Sequence, residues 1–557
     1  MIEQFARVDL RTFKFPELYV DYLSERLPAS IDAPEFFGKK QREEFGTRAA
    51  AAVEEPFWRD VLEYNARLGA SRAGLEGIEA LSHGRAIPIV AGQQPGLLGG
   101  PLYTLYKALT AVSLAELLSE SGPSLASTSG GETSGTDSLQ SGKLRVVPVF
   151  WNASDDSDFA EVSSATFFDN DLSLRRLCVA ASHHSPGGMV GAMRTQALSG
   201  PVEALMRDLE KSPATTFLMP LIEDGLSVAG DWGEFFSALL VRLFSSSGMV
   251  VVDSRLSSVG KYSRPTIDAY LREASSVEVR IADCLNELRE RGYGEPVSPR
   301  SGETCVFLKD GTARRKVSKE ELPAVADLWR KGEIELLPNV LLGPVVRDRL
   351  MRPAVNVVGP SEASYYIVAR TLYDVLGFPQ SPVFPRVSLT IVPRRLTSLV
   401  GEDPGRFEEL VVSFDKVARD YFEKQVPPEV MRELEISQND MRSVAERVTR
   451  LAAVSGKNTE EVAASAARKI DFELGRIREG FVAAHRKRIL SENPFLRRAG
   501  EFLLPSGAPQ ERSLCSLSPL IYGGQSLIQA LGALARSHVR ESLERHVHHY
   551  VAGVAIP

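Results

Sequence analysis

At 557 residues the chain is long enough for roughly three or four domains or subdomains. Its 43% hydrophobic and 25% charged residues are ordinary for a globular protein, and a formal net charge of −7 argues against a nucleic-acid-binding surface over the whole chain. No run of 18 uncharged apolar residues is present, so no membrane span is expected. Four widely spread cysteines, Cys178, Cys284, Cys305 and Cys515, form no CxxC pair. They read as reduced thiols of a cytoplasmic protein, and the first residues lack the basic and apolar regions of a signal peptide.

Residues 1 to about 80 are of mixed polarity and read as mainly helical. Ala86 to Ala91 then forms a short apolar run of the kind expected for a buried parallel strand. A loop with Gly92, Gly96, Gly99 and Gly100 follows, with Gln93 and Gln94 just past the strand end. Pro101 sits where a first helical residue sits, and Leu102 to Leu118 continues as an apolar helix. Strand, glycine loop and helix can turn backbone N–H groups and a helix N-terminus towards an anion. An ordinary βα turn is the competing explanation. No Gly-Lys-Ser/Thr ends the loop and no clean GxGxxG lies in it, so it is neither a Walker loop nor a standard dinucleotide fingerprint.

Ser119 to Lys143 is Ser/Gly/Thr-rich and reads as a flexible surface insertion. Leu144 to Asn152 is a second buried strand, running directly into Asp155, Asp156 and Asp158. Carboxylates at a strand's C-terminal end can hold an amine, a ribose hydroxyl or Mg²⁺; the alternative is a solvated turn whose aspartates cap a short helix. Gly248 to Asp253 is a third strand, again ending on an acid, and the helix after it runs towards Arg291. Cys305 to Val317 reads as a hairpin turning at Asp310-Gly311. Lys316-Val-Ser-Lys-Glu320 invites comparison with the ATP loop of class I aminoacyl-tRNA synthetases, but Ser318 with Glu321 is better explained as a capping box.

Ala354 to Val358 is a fourth strand, leading into Gly359-Pro-Ser-Glu-Ala-Ser-Tyr-Tyr366. Ser361 is a candidate N-cap, Glu362 complements the helix dipole and Gly377 ends the helix. Capping leaves Tyr365 and Tyr366 unexplained, and they are expected to face the same crevice as the glycine loop. Pro382 to Pro393 is the last expected strand, with Arg386 near its start. Strands alternating with helices at this spacing predict an α/β fold with a mostly parallel sheet.

Beyond Pro393 the apolar residues recur at spacings of three and four, as in Phe407, Leu410, Phe414, Val417 and Tyr421, or Ile470, Leu474, Ile477 and Phe481. Pro427-Pro428 and Ser455 to Asn458 divide the segment into about three long helices of a coiled-coil arm, a common dimerisation device. The tail becomes helical from Ser526. Its His538, His546, His548 and His549 lack an acid or cysteine at ligand spacing, so a solvated helix end is expected there rather than a metal site. The expected organisation is a core over 1–393, with the insertion at 119–143 and a connecting subdomain at about 255–350. A helical arm over 394–500 and a C-terminal segment over 501–557 packing back on the core complete it.

Ala91-Gly-Gln-Gln-Pro-Gly-Leu-Leu-Gly-Gly-Pro-Leu-Tyr-Thr104, Val147-Pro-Val-Phe-Trp151 and Pro338-Asn-Val-Leu-Leu-Gly-Pro344 together resemble the cysteine-adding enzyme family of bacillithiol biosynthesis, BshC. Val358-Gly-Pro-Ser-Glu362, Pro385-Arg-Val-Ser388, Pro509-Gln-Glu-Arg512 and Tyr522-Gly523 extend the resemblance, in order, over nearly the whole chain. The resemblance implies a Rossmann-like core related to nucleotidylyltransferases and class I synthetases, with connecting insertions and a C-terminal coiled coil. It implies a ligase joining L-cysteine to glucosaminyl-malate, with ATP activating the carboxylate as an acyl-adenylate, its cleavage to AMP or to ADP left open, and Mg²⁺ accompanying the nucleotide. The arm makes a homodimer the expected assembly, and the net charge and the lack of a long apolar run leave no nucleic-acid or membrane partner expected. Asp155, Asp156, Asp158 and Gln94 become candidate catalytic residues. Gly92, Gln93, Gly96, Pro101, Tyr103, Thr104, Lys107, Trp151, Asn152 and Ser157 become candidate substrate or nucleotide contacts, with Gly359, Ser361, Glu362, Tyr365, Arg386 and Ser388 on the facing side. Two departures stand out: Ser157 occupies the histidine position of the family's Glu-Asp-His-Asp-Phe, and Val358-Gly-Pro-Ser-Glu362 replaces Gly-Gly-Pro-Gly-Glu. The rival expectations are an ATP-dependent ligase or nucleotidyltransferase on another amino sugar or amino acid, and a non-catalytic nucleotide sensor.

Overall fold

The computed structural model describes residues 3–38, 40–41, 55–121, 145–169, 173–210, 214–297, 303–393, 405–454, 456–492, 498–545 and 550–556. Nearly all of the Ser/Gly/Thr-rich insertion, and His546, His548 and His549, lie outside them. The chain opens with a strand, β1 (Glu3–Asp9), where the composition suggests helix. Its period of two is real, with Ala6 and Val8 buried and Arg7 and Asp9 exposed. Its partner lies at the opposite end of the chain.

The core is a five-stranded parallel sheet built from β2 (Ala86–Gln93), β3 (Arg145–Asn152), β6 (Val250–Asp253), β10 (Val355–Val358) and β11 (Val383–Pro385), in the order β11-β10-β2-β3-β6. These strands read as continuous apolar runs because helices cover both faces. Alternate residues feed two different cores. Ile87, Ile89 and Ala91 face one with α1 (Leu102–Ser121), while Ala86 and Val90 face the other. That second core includes α2 (Ser257–Glu290), α3 (Leu342–Met351) and α4 (Pro360–Leu376). Each fully buried Val, Ile or Leu contributes about 1.5–3 kcal/mol, so the sheet's position is strongly specified.

The expected strand over Pro382 to Pro393 is two strands in different sheets. β11 edges the parallel sheet, and after Arg386 the chain enters β12 (Ser388–Pro393), which pairs in parallel with β13 (Tyr550–Ile556). β13 also pairs antiparallel with β1, so one small sheet joins both ends of the chain. A second antiparallel pair is β4 (Ser164–Phe168) with β5 (Leu174–Cys178). The expected hairpin is present as β7 (Glu303–Asp310) and β8 (Ala313–Ser318), turning at Gly311 with φ 57°, and β9 (Glu335–Pro338) adds a third strand. Ser318 and Glu321 exchange hydrogen bonds at 3.0 and 3.3 Å, which is the capping box.

In the arm, α5 (Pro428–Val454) and α6 (Lys457–Glu492) form a long hairpin cross-linked by Arg442 and Asp471 at 2.7 Å. Phe407, Leu410 and Val417 are buried at its base, whereas Val444, Val448, Leu451, Phe472, Ile477 and Phe481 are exposed along it. Among the described residues no helix is long and apolar enough to cross a membrane. All four cysteines are free thiols.

The tail helix α7 (Ser518–Arg545) starts earlier than expected and is interrupted at Gly524. It buries His538, whose pKa falls from the ordinary 6.5 to about 4 because burial disfavours the imidazolium. Above pH 6.5 the ring is neutral whether folded or unfolded. As pH falls from 6.5 to about 4 the unfolded chain takes up a proton that the folded chain refuses, so stability drops by on the order of 3 kcal/mol. Urea unfolding across that window is expected to show less loss in His538→Leu than in the unsubstituted protein; equal slopes would contradict the assignment.

Candidate functional site

From β2 the chain moves outward through β3 to β6, then returns on the other side of β2 as β10 and β11. The carboxyl ends of β2 and β10 therefore flank a topological switch point, where open α/β sheets place their ligands. A cavity of about 970 Å³ opens there and extends to α2 and the β7-β8-β9 sheet, with Tyr270, Ile281, Phe307 and Leu336 on its far wall. Its size is that of a small-molecule site.

Gly92 ends β2. A Cβ there would lie 3.1 Å from the Trp151 carbonyl oxygen and 3.3 Å from a terminal nitrogen of Arg347, so glycine permits close packing on both sides. The Gly92 carbonyl accepts from Lys107 Nζ at 2.8 Å, and Gln93 Oε1 accepts from the same ammonium at 2.8 Å. Lys107 is buried and completes its shell with Glu362 at 2.5 Å; Glu362 Oε2 also accepts from Gly359 N at 2.8 Å. Burial lowers the Lys107 pKa, opposed by the Glu362 charge. The α1 lysine and α4 glutamate thus tie the β2 and β10 ends together across the switch point.

A second cluster lies at the end of β3. Asp156 accepts from Gln94 Nε2 at 2.6 Å, from Arg314 at 2.6 Å and from the Asp158 amide at 2.9 Å. Asp155 is buried, accepts from Ser254 Oγ at 2.5 Å and lies 3.8 Å from Arg314. Burial raises its pKa, against the Arg314 charge and the serine hydrogen bond. Glu161, an exposed carboxyl at the cavity's edge, has its pKa raised by partial desolvation and then by the charges of Asp158 and Asp156. A carboxyl so placed is a better proton acceptor than an ordinary one.

Of the residues singled out in the sequence, Gly92, Gln93, Gln94, Tyr103, Lys107, Trp151, Asp155, Asp156, Gly359, Ser361, Glu362, Tyr365 and Arg386 line this cavity. The others do not. Gly96 packs against Gly100, where a Cβ would lie 2.4 Å from Gly100 Cα. Pro101 bridges to Cys515, and Leu102 N donates to Leu514 O at 2.7 Å, so the tail closes the start of α1 where an anion was expected. Thr104 is fully buried. Asn152 Nδ2 is spent on Gly233 O and Ser237 Oγ at 2.9 Å each. Asp158 caps the short helix Phe159–Val162, and Ser157 Oγ accepts from Arg314 Nε at 3.2 Å. Ser388 Oγ accepts from Arg386 at 2.9 Å. Arg386 itself spends both terminal nitrogens on Glu511, at 2.8 and 2.7 Å.

Glu161, Arg314, Arg347 and Ser254 line the cavity without having been singled out. Arg347 had a nearby signal, three residues beyond the Pro338–Pro344 motif, Glu161 ends the acidic stretch after β3 and Ser254 follows the acid that ends β6, whereas Arg314 sits in a hairpin with no motif of its own. Among the described residues no group of three or more His, Cys, Asp or Glu side chains is arranged to hold a metal ion, so no step is assigned to one.

A doubly covered parallel sheet with a polar cavity at its switch point places the protein in the Rossmann-like class. The family model described as the N-terminal Rossmann-like domain of bacillithiol biosynthesis BshC matches residues 7–123 and 136–387. The chain belongs to the BshC family, a ligase family. Relatives titled "Putative cysteine ligase BshC" include one from Koribacter versatilis, 27% identical, with 92% of this chain and 94% of the relative covered. Others come from Halalkalibacterium halodurans, at 26% with 84% and 86% covered, and Salinibacter ruber, at 25% with 90% of each. A solved chain titled "putative arginyl t-RNA synthetase" from Campylobacter jejuni aligns with 83% of this chain and 96% of its own, at 12% identity and a TM-score of 0.24, too weak a likeness to carry an argument.

Proposed function

We propose that the protein forms the amide between the carboxylate of L-cysteine and the amine of glucosaminyl-malate, the last step of bacillithiol biosynthesis, in the cytoplasm. The observation that carries this reading is the polar cavity at the switch point of a BshC-family core. A carboxylate does not react with an amine until one of its oxygens becomes a leaving group, and ATP as co-substrate supplies one. In the acyl-adenylate route a carboxylate oxygen attacks the α-phosphorus and pyrophosphate departs. The amine nitrogen then attacks the acyl carbon, and AMP leaves with the bonding electron pair. Glu161, with its raised proton affinity, suits the proton the amine sheds. Asp156, held by Gln94 and Arg314, suits orientation of the amine or of sugar hydroxyls. Ser157 stands behind Arg314 rather than on the cavity wall, so the histidine position of the family pattern acts here through that arginine.

Purified protein incubated with cysteine, glucosaminyl-malate, ATP and Mg²⁺ is expected to yield the cysteinyl amide by mass spectrometry, with AMP rather than ADP if adenylation is the route. Product with another amine only would move the acceptor; nucleotide binding without any product would favour a sensor. The apolar side chains exposed along α5 and α6 support a homodimer through the arm, and the same preparation sized by light scattering is expected at twice 61.0 kDa.

A further inference from the structure

Arg347, on α3, is 9% exposed, lines the cavity and packs beside the Gly92 backbone at the end of β2. The other buried cations around it are matched: Lys107 by Glu362, Arg386 by Glu511, Arg314 by Asp156. Arg347 has no hydrogen-bond or ion-pair partner among the described residues, and its Nε is buried and unsatisfied. Its guanidinium lies 5.8 Å from the Tyr366 ring centroid, a contact that leaves the N–H donors free. The adjacent carboxylate makes no hydrogen bond or ion pair with it: Asp348 accepts instead from Asn356 Nδ2, Tyr373 OH and Ser381 N at 2.8–2.9 Å, and the two charges act on each other only at a distance. Successive helical residues point about 100° apart, so Asp348 enters the core while Arg347 meets the cavity. A guanidinium withdrawn from water with no hydrogen-bonded counter-charge is costly. A planar fork of donors kept in that state suits an anion that arrives with the ligand.

We infer that Arg347 is an oxyanion-binding residue of the cavity, receiving a carboxylate or phosphate group of a bound substrate beside the Gly92 peptide. The inference deepens the ligase reading and rests on it for the identity of the substrates, since both malate carboxylates and ATP phosphates have the required chemistry. Binding can be measured without turnover, so a chain that makes no cysteinyl amide can still pass the test.

Calorimetry with L-malate and with ATP as probes, on the full-length protein and on Arg347→Gln, decides it. The variant is expected to bind one probe about 10–100-fold more weakly while unfolding, without ligand, near the temperature of the unsubstituted protein, since no hydrogen bond or ion pair of the folded chain is lost with the guanidinium. Loss confined to malate assigns a carboxylate, and loss confined to ATP a phosphate. Unchanged affinity for both, or no binding of either to the unsubstituted protein at millimolar concentration, overturns the inference. Should the glutamine variant fail to fold, Arg347→Lys decides: it keeps the charge but loses the fork, and undiminished affinity there is equally fatal.

Discussion

Arg386→Ala is expected to destabilise the protein by about 3–5 kcal/mol, one of the largest single effects available outside the apolar core. Arg386 and Glu511 have side chains 2% and 3% exposed, and they meet through two parallel hydrogen bonds of 2.8 and 2.7 Å. Removing the arginine leaves a carboxylate in a dry site with no counter-charge. The pair also joins the loop between β11 and β12 to the tail. Next to Glu511, Gln510 brackets Ile391 by accepting from its amide at 2.8 Å and donating to its carbonyl at 2.9 Å. Chemical denaturation of Arg386→Ala, Glu511→Leu and the Arg386→Met/Glu511→Leu pair tests this. The single variants should each fall by several kcal/mol, whereas the double variant, which buries no charge, should recover most of the loss. Additive losses in the double variant would show that the two side chains act separately.

The history of this pair shows what a sequence can and cannot disclose. Pro509-Gln-Glu-Arg512 and Pro385-Arg-Val-Ser388 were both visible as motifs, yet nothing in either names the other across 125 residues. Local signals carried further. The apolar runs of β2, β3, β6 and β10 disclosed the parallel sheet, because strands covered on both faces lose their alternation. The Ser318–Glu321 capping box was legible because its two partners are three residues apart. β1 and β13 were not legible, because their pairing closes a loop of nearly the whole chain and short strands without a nearby partner leave little trace. The same limit governs the cavity. Strand ends marked the neighbourhood of Gly92, Gln94, Asp155 and Glu362, while Arg314 and Arg347 reach it from elements whose sequence says nothing of where they point. Asp158 shows the converse, an acid in a suggestive cluster whose side chain caps a helix, the alternative its position already allowed.

Asp156→Asn is expected to lower kcat/KM about a hundredfold while costing only about 1–2 kcal/mol of stability. Asp156 is where three separately folded pieces meet: Gln94 from the β2 loop, the aspartate from the β3 loop and Arg314 from the β7–β8 hairpin. An amide in place of the carboxylate cannot accept charge-assisted hydrogen bonds from both sides, because one of its two ends is a donor. Arg314 then retains Ser157 Oγ at 3.2 Å and Asp155 at 3.8 Å, enough to keep it folded in place but not to hold its distance from Gln94. The fold survives because the core lies beneath, in the sheet. Catalysis suffers because displacing a positioning group by an ångström is enough to misalign the reacting atoms. Steady-state kinetics of cysteinyl-amide formation, with urea unfolding of the same preparation, separates the two effects. A fall in kcat with nearly unchanged stability supports a positioning role at the end of β3. Unaltered kinetics would show that the Gln94–Asp156–Arg314 bridge is a structural clasp and that the chemistry belongs elsewhere in the cavity.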